Sequence, residues 1–248
     1  MDKNQSMSLK SADKERAEGK TRLQRALQGV TAPVVITVAA VLGLVGVGAT
    51  ARKDAEGTMV VPQGYDLISG DNGVEVYQNR NTDIIELLAQ GRLPASPQAV
   101  MAGLIDYEHQ VGVIARVSES RILERGPDSM TVYQRLNLPI VSDRDYVLRV
   151  VWRVKGDKTW IRYHAVGGQG PAPVDGVVRV THHQGGWDLT AVDGGRATLA
   201  VFHDSIDMGG LLPKALARAG AGREVPSLYR DVCRLLQVGK ITGVASCP

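Results

Sequence analysis

Along residues 129–138 apolar and polar side chains alternate. Met130, Val132, Gln134, Leu136 and Leu138 fall on one face, and Thr131, Tyr133, Arg135 and Asn137 on the other. A period of two predicts a half-buried β-strand. The same period returns over residues 146–154, where Leu148, Val150, Trp152 and Val154 oppose Arg149 and Arg153. Between the two strands lies a short apolar turn, Pro139-Ile140-Val141, followed by the polar Ser142-Asp143. An apolar loop feeding a strand covers either ordinary core or a cavity.

The pattern continues on both sides. Residues 118–125, 159–166, 176–183 (continuing through Trp187 and Leu189) and 196–206 predict further strands, punctuated by Gly-Asp, Gly-Gly and Asp-Gly-Gly turns. Upstream, residues 65–68 and 74–77 flank Asn72-Gly73, a dipeptide that supplies the positive φ of a tight turn. Residues 83–91 read as another strand with an ambiguous period. Ser96 is an N-cap with Pro97 at the first helical position, which predicts a helix to about Asp106. The connections are too short for crossover helices, so the strands are expected to run antiparallel. After Pro213 the period becomes helical, over 213–219 and 226–237, with a break around Gly220-Ala221-Gly222. Leu228, Val232 and Leu235 form the apolar stripe of the second piece. The fold class is α+β: a curved antiparallel sheet whose apolar concave face must be covered, with the C-terminal helix as the element long enough to cover it. A sheet wrapped round a helix commonly leaves an interior cavity.

Charge is unevenly placed. Seven of the 29 Lys/Arg and four of the 26 Asp/Glu lie in residues 1–51, so 22 of each lie beyond. A neutral body lacks the concentrated basic surface that phosphate backbones require, which argues against a nucleic-acid partner. Residues 1–28 are polar and basic. Residues 30–51 then run for 22 positions without a charge, roughly 33 Å as a helix and enough to cross a bilayer. Segment 29–51 therefore reads as a separate N-terminal apolar helix. It is either a transmembrane anchor with the body on the non-cytoplasmic side, or a signal peptide cleaved after Ala51, with an exported body. Cys233 and Cys247 are either bridged in an exported body or two unrelated thiols.

Little in the chain points to catalysis. His182 and His183 are adjacent on an expected strand and point to opposite faces, with His182 on the inward row, so no metal site is expected. His203, Ser205 and Asp207 share a strand face but lack a glycine elbow or an oxyanion loop. No phosphate-cradling loop or dinucleotide fingerprint is present, so no cofactor is expected.

Several motifs arrive in a recognisable order. Pro-x-x-Ser-Asp-Arg-Asp-Tyr-Val at 139–147 resembles the proline-x-x-arginine-aspartate-aromatic-valine signature of the START family of lipid-transfer domains. Ser-Pro-Gln-Ala-Val with Leu-Ile-Asp (96–106) resembles the helix before the family's main sheet. Ser-Glu-Ser-Arg-Ile-Leu-Glu (118–124) resembles its next strand. Val-Val-Arg-Val (177–180) with Gly-Gly-Trp-Asp-Leu (185–189), and Asp-Met-Gly-Gly-Leu-Leu-Pro (207–213), resemble the later strands and the lead-in to the final helix. The resemblance spans about residues 63–240, behind a linker at 52–62 and before a tail at 241–248. It implies a helix-grip fold with an internal hydrophobic cavity for one lipid. It also implies a gate formed by the 138–143 loop and the C-terminal helix, to which Pro139, Ile140, Val141, Gly209, Gly210 and Leu211 would belong. In sterol-binding members a buried basic residue follows the arginine-aspartate motif. Here those positions are Leu148, Arg149 and Val150, with Arg149 on the polar face, so sterol and phospholipid both stay open as ligands.

On this reading the cavity residues are Val132, Gln134, Leu136, Val150, Trp152, Ile161, Tyr163, Val178 and Val180; the plainer reading makes each of them core. Gln134, polar in an apolar row, needs a headgroup, a water or a protein partner. Arg144 and Asp145 read as a structural brace for the loop, with headgroup binding as the alternative. The function implied is binding or transfer of a lipid at a membrane, without enzymatic chemistry. The alternatives are a helix-grip enzyme of the cyclase or hydrolase kind acting on a hydrophobic small molecule, and a lipid sensor.

Overall fold

The computed structural model describes residues 52–53, 59–139, 141–155, 158–210 and 214–238, with side chains in the last stretch from residue 220 on. The expectations for 1–51, Ile140, Leu211, Cys247 and the tail lie outside the described residues. Strands β1 (Arg52–Lys53) and β2 (Met59–Val60) pair antiparallel. They stand in what the sequence suggests is a bare linker. Met59 is buried there and its N–H donates to Gln90 Oε1 at 2.6 Å, so it packs with Leu88 and Val201 on the outer face of the main sheet.

The main sheet is built from β3 (Tyr65–Ser69), β4 (Glu75–Asn79), β5 (Ile85–Leu93), β6 (Val117–Arg125), β7 (Ser129–Leu136), β8 (Asp143–Lys155), β9 (Lys158–Ala165), β10 (Val177–Arg179), β11 (His183–Val192) and β12 (Ala197–Ile206). Its order is β3-β4-β5-β12-β11-β9-β8-β7-β6, with β10 on β8. Neighbours along that path run antiparallel. β10 departs from expectation and lies parallel to β8. Arg179 on β10 there clasps Asp145 on β8 through two charge-assisted bonds of 2.7 and 2.9 Å. The sequence also suggests one strand from 176 through 189. Instead the chain leaves β10 at Arg179 and re-enters the sheet at His183.

Register lines up apolar residues in rows across the inner face. Trp152, Ile161, Trp187, Phe202, Ala89 and Val76 are successive partners from β8 to β4. The adjacent row runs Val150, Tyr163, Gly185, Asp204, Leu87 and Gln78. The first row is core. The second carries the polar residues that matter below.

Two helices cover this face. Helix α1 (Pro97–Leu104) begins at Ser96, whose Oγ accepts from the Ala99 N–H at 3.3 Å, and it packs on β9, β11 and β12. Helix α2 (Lys214–Val238) is continuous, without the expected break at 220–222. Each glycine costs about 1 kcal/mol of helix propensity, and Pro226 forgoes one backbone bond. Burial of Ala221, Val225, Tyr229, Val232 and Leu236 on one stripe offsets this. Tyr229 seats the helix: its hydroxyl donates to the Ala200 carbonyl at 3.0 Å and its ring lies 5.2 Å from that of Trp187. A Cβ at position 91 would stand 2.9 Å from the Tyr229 ring, so the close approach requires Gly91. Among the described residues no helix is long and apolar enough to cross a membrane.

Candidate ligand cavity

A cavity of about 450 Å³ lies between α2 and one end of the sheet. Ile85, Leu87, Phe202 and Ile206 form its floor, Ala221, Val225 and Leu228 on α2 its roof, and Leu136, Leu138, Pro139, Val141 and Met208 its side. Ile114, Ala115 and Arg116 adjoin that side, where the Asn137 N–H donates to the Arg116 carbonyl at 2.8 Å. Its size falls within the usual range for small-molecule sites, about 300–1,000 Å³, and its wall is mostly apolar. The cavity sits at this end because the other end is filled. There α1, Tyr107 and Gln110 press onto the sheet, and both of these side chains are buried.

Polar groups stand on the wall in two places. At the mouth, Arg116 and Glu224 pair at 3.2 Å, and Asp231 accepts from the Ala115 N–H at 2.9 Å, so the 114–116 loop is tied to α2. Arg116 holds a positive φ of 69°, which turns the chain towards the helix. On the floor, His183 Nε2 lies 3.0 Å from Asp204 Oδ1, and Tyr163 donates to the same oxygen at 2.7 Å. His183 and Asp204 are only 10% and 11% exposed. The His183 ring is held edge-on between Tyr146 and Tyr163, with centroids 4.9 and 5.2 Å away. Burial first, and then the Asp204 carboxylate, pushes the Tyr163 phenol well above its ordinary value, so it stays a donor. Gly185 makes the cluster possible: a Cβ there would fall 2.7 Å from Tyr163 Oη and 2.9 Å from Asp204 Oδ1.

Solved structures share this architecture. A STAR-related lipid transfer protein from Xanthomonas axonopodis superposes with a TM-score of 0.64 at 22% identity, over 70% of this chain and 99% of that one. Human StAR-related lipid transfer protein 5 gives 0.64 at 17% identity, over 72% and 88%. Human STARD10 gives 0.63 at 16%, over 73% and 78%. The chain has the START helix-grip fold. No protein-family model matches the sequence, and no curated protein matches it significantly.

Within the helix-grip fold the residues singled out from sequence fall into three groups. Leu136, Pro139 and Val141 are on the cavity wall. Val132, Val150, Ile161 and Val180 are buried in the packed core, with Trp152 and Tyr163 half-buried against it, because the α1 end of the face holds no space. Val178 packs elsewhere, against the Gly209-Gly210 turn. Gln134 is satisfied by protein: its Nε2 donates to Gln110 Oε1 at 2.8 Å and to Ser120 Oγ at 3.1 Å, and its Oε1 accepts from Tyr146 Oη at 3.0 Å. Both of its N–H donors are thus taken by protein.

The 138–143 loop and the turn before α2 are also tied together. Arg144 is 1% exposed and donates to three main-chain carbonyls, of Ser142, Met208 (3.3 Å) and Gly209 (3.2 Å). It thus links the 138–143 loop to the turn before α2. Gly209 and Gly210 take φ of 60° and 65°, the left-handed region that favours glycine. Asp145 receives Arg179 and, at 3.2 Å, the Tyr133 hydroxyl. Both side chains are engaged by protein. The sequence reading gives no site role to Asp204 or the 114–116 loop, and it puts His182 rather than His183 on the inward row. The signal for His183 was its even spacing from Trp187 and Leu189. Ser205, which the sequence puts on one face with His203 and Asp207 but without the elbow or oxyanion loop of a triad, meets His182 Nε2 at 3.0 Å. Among the described residues no three His, Cys, Asp or Glu stand together as a metal cage.

Proposed function

We propose that this protein binds one lipid-class ligand in the cavity under α2 and exchanges it by parting the 138–143 loop from the helix. The observation that carries this reading is the apolar cavity itself, walled by Phe202, Ile206, Leu136 and Val225 and bordered by the loop and the helix lead-in. Burial of apolar ligand surface supplies affinity at about 25 cal/mol per Å². The lipid-transfer proteins of the same fold support the class of ligand. The domain layout completes the proposal. Segment 29–51 anchors the protein, or directs its export when cleaved after Ala51, and residues 63–240 work on the non-cytoplasmic side. Cys233 is disulfide-bonded, which suits an oxidising compartment. Incubation of the full chain with liposomes, followed by separation and lipid analysis, tests the proposal. Uptake that is lost in a cavity-filling Ala221→Phe variant supports it; uptake that the variant leaves unchanged counts against it.

A second reading is favoured by one observation. His183 and Asp204 face each other on the floor, as an acid–base pair in an enzyme of hydrophobic small molecules would. Recovery of the bound ligand chemically unchanged after prolonged incubation separates binding from turnover.

A further inference from the structure

The floor cluster has an asymmetry. Tyr163 Oη and His183 Nε2 both converge on Oδ1 of Asp204, at 2.7 and 3.0 Å. Oδ2 therefore receives no donor from the described residues. Unlike His183 Nδ1, it is not sealed off by surrounding protein. Asp204 belongs to the cavity wall, in a row whose neighbours are Gly185 and Leu87. The other acids on that wall, Glu224 and Asp231, stand on the helix side with Arg116 and Arg234 beside them. Among the described residues Asp204 forms its ion pair with His183 and with no arginine or lysine.

Resting on the cavity-binding reading above, we infer that Asp204 is the polar anchor of the cavity and selects ligands that present a hydroxyl group at their buried end. A hydroxyl donates to Oδ2 without bringing charge into an apolar space. A phosphate or carboxylate would face the aspartate as a like charge, and the described cation of the wall, Arg116, stands at the mouth already paired with Glu224. An ammonium would have to shed its hydration to reach the floor. Tyr163 and His183 act as positioning residues, fixing the carboxylate so that Oδ2 is the oxygen left for the ligand.

Titration of the full chain in detergent with decan-1-ol, decyl methyl ether and decyl phosphate, followed by intrinsic tryptophan fluorescence or calorimetry, tests this. Hydrogen bonds to charged groups predict that the alcohol binds about ten-fold or more tighter than the ether, and that the phosphate binds no better than the ether. Asp204→Ala is expected to bring the alcohol-to-ether binding ratio to about one. If that variant binds neither compound, Asp204→Asn replaces it and is expected to cut the alcohol-to-ether ratio about three-fold or more. Equal binding of alcohol and ether by the unmodified chain overturns the anchor and leaves the cavity reading standing. A ratio that survives in the variant also overturns the anchor. Binding of none of the three overturns both.

Discussion

Arg144 donates through Nε to the main-chain carbonyl of Met208 at 3.3 Å, from a position 1% exposed to solvent. This contact ties the strand that follows the apolar loop to the turn that leads into α2, the two elements proposed to part when ligand exchanges. Its partners are all carbonyls, so the cation is solvated by backbone. Arg144→Ala removes three charge-assisted bonds to part-buried carbonyls and empties a buried site. At about 1.5–3 kcal/mol for a hydrogen bond to a charged group, a loss of roughly 3 kcal/mol is expected in urea unfolding. Faster ligand release should accompany it. A variant as stable as the parent would show that the brace is not structural.

Gly185 leaves room for the Tyr163–Asp204–His183 cluster. In Gly185→Ala the added methyl would meet the His203 carbonyl oxygen as well as Tyr163 and Asp204. Overpacking of this kind costs about 1–3 kcal/mol, which for a chain of this size lowers Tm by several degrees, roughly 2–4 °C per kcal/mol. Differential scanning calorimetry reads the shift directly. An unchanged Tm would mean that the strand yields without strain.

His203 gives a pH signature. Burial first, and then the nearby Arg162 guanidinium, lowers its pKa from 6.5 to about 4, with Asp188 and Asp204 acting the other way. The folded imidazole therefore stays neutral where the unfolded one takes up a proton. Stability is fully present above about pH 6.5 and is lost as pH falls from 6.5 towards 4, by at most about 3 kcal/mol. Urea unfolding across that window should show this slope, and His203→Gln should flatten it. Parallel profiles for variant and parent would exclude His203 as the source.

Cys233 is buried and disulfide-bonded. The denatured, non-reduced full chain should contain no titratable thiol, and reduction should raise its intact mass by the hydrogens of one disulfide. Two free thiols in protein recovered from its native compartment would remove this support for an exported domain.

The fold was legible because its signals are local. The alternation at 129–138 and 146–154 marks β7 and β8 and the correct inward faces, since period two follows from strand geometry alone. Ser96-Pro97 likewise marks α1. The site was less legible because cavity and core share one apolar alphabet. Val132 and Leu136 sit four residues apart on the same face; one is packed and the other lines space, and α1 with Gln110 decides which. Gln134 looked like a ligand contact because its partner Gln110 lies 24 residues away in a loop. His183 was assigned to the outer face by extending the preceding strand through it. β11 instead starts at His183, and Trp187 and Leu189, at even spacing on a buried face, carried the right phase.

The central claim is that the cavity holds one hydrophobic ligand. Native mass spectrometry of the full chain, extracted gently from its own membrane or compartment, tests it most directly. A single adduct of lipid mass at one per chain, displaced by excess competitor and absent from Ala221→Phe, is the predicted result. A spectrum showing only the bare chain, both as extracted and after incubation with liposomes, would contradict it.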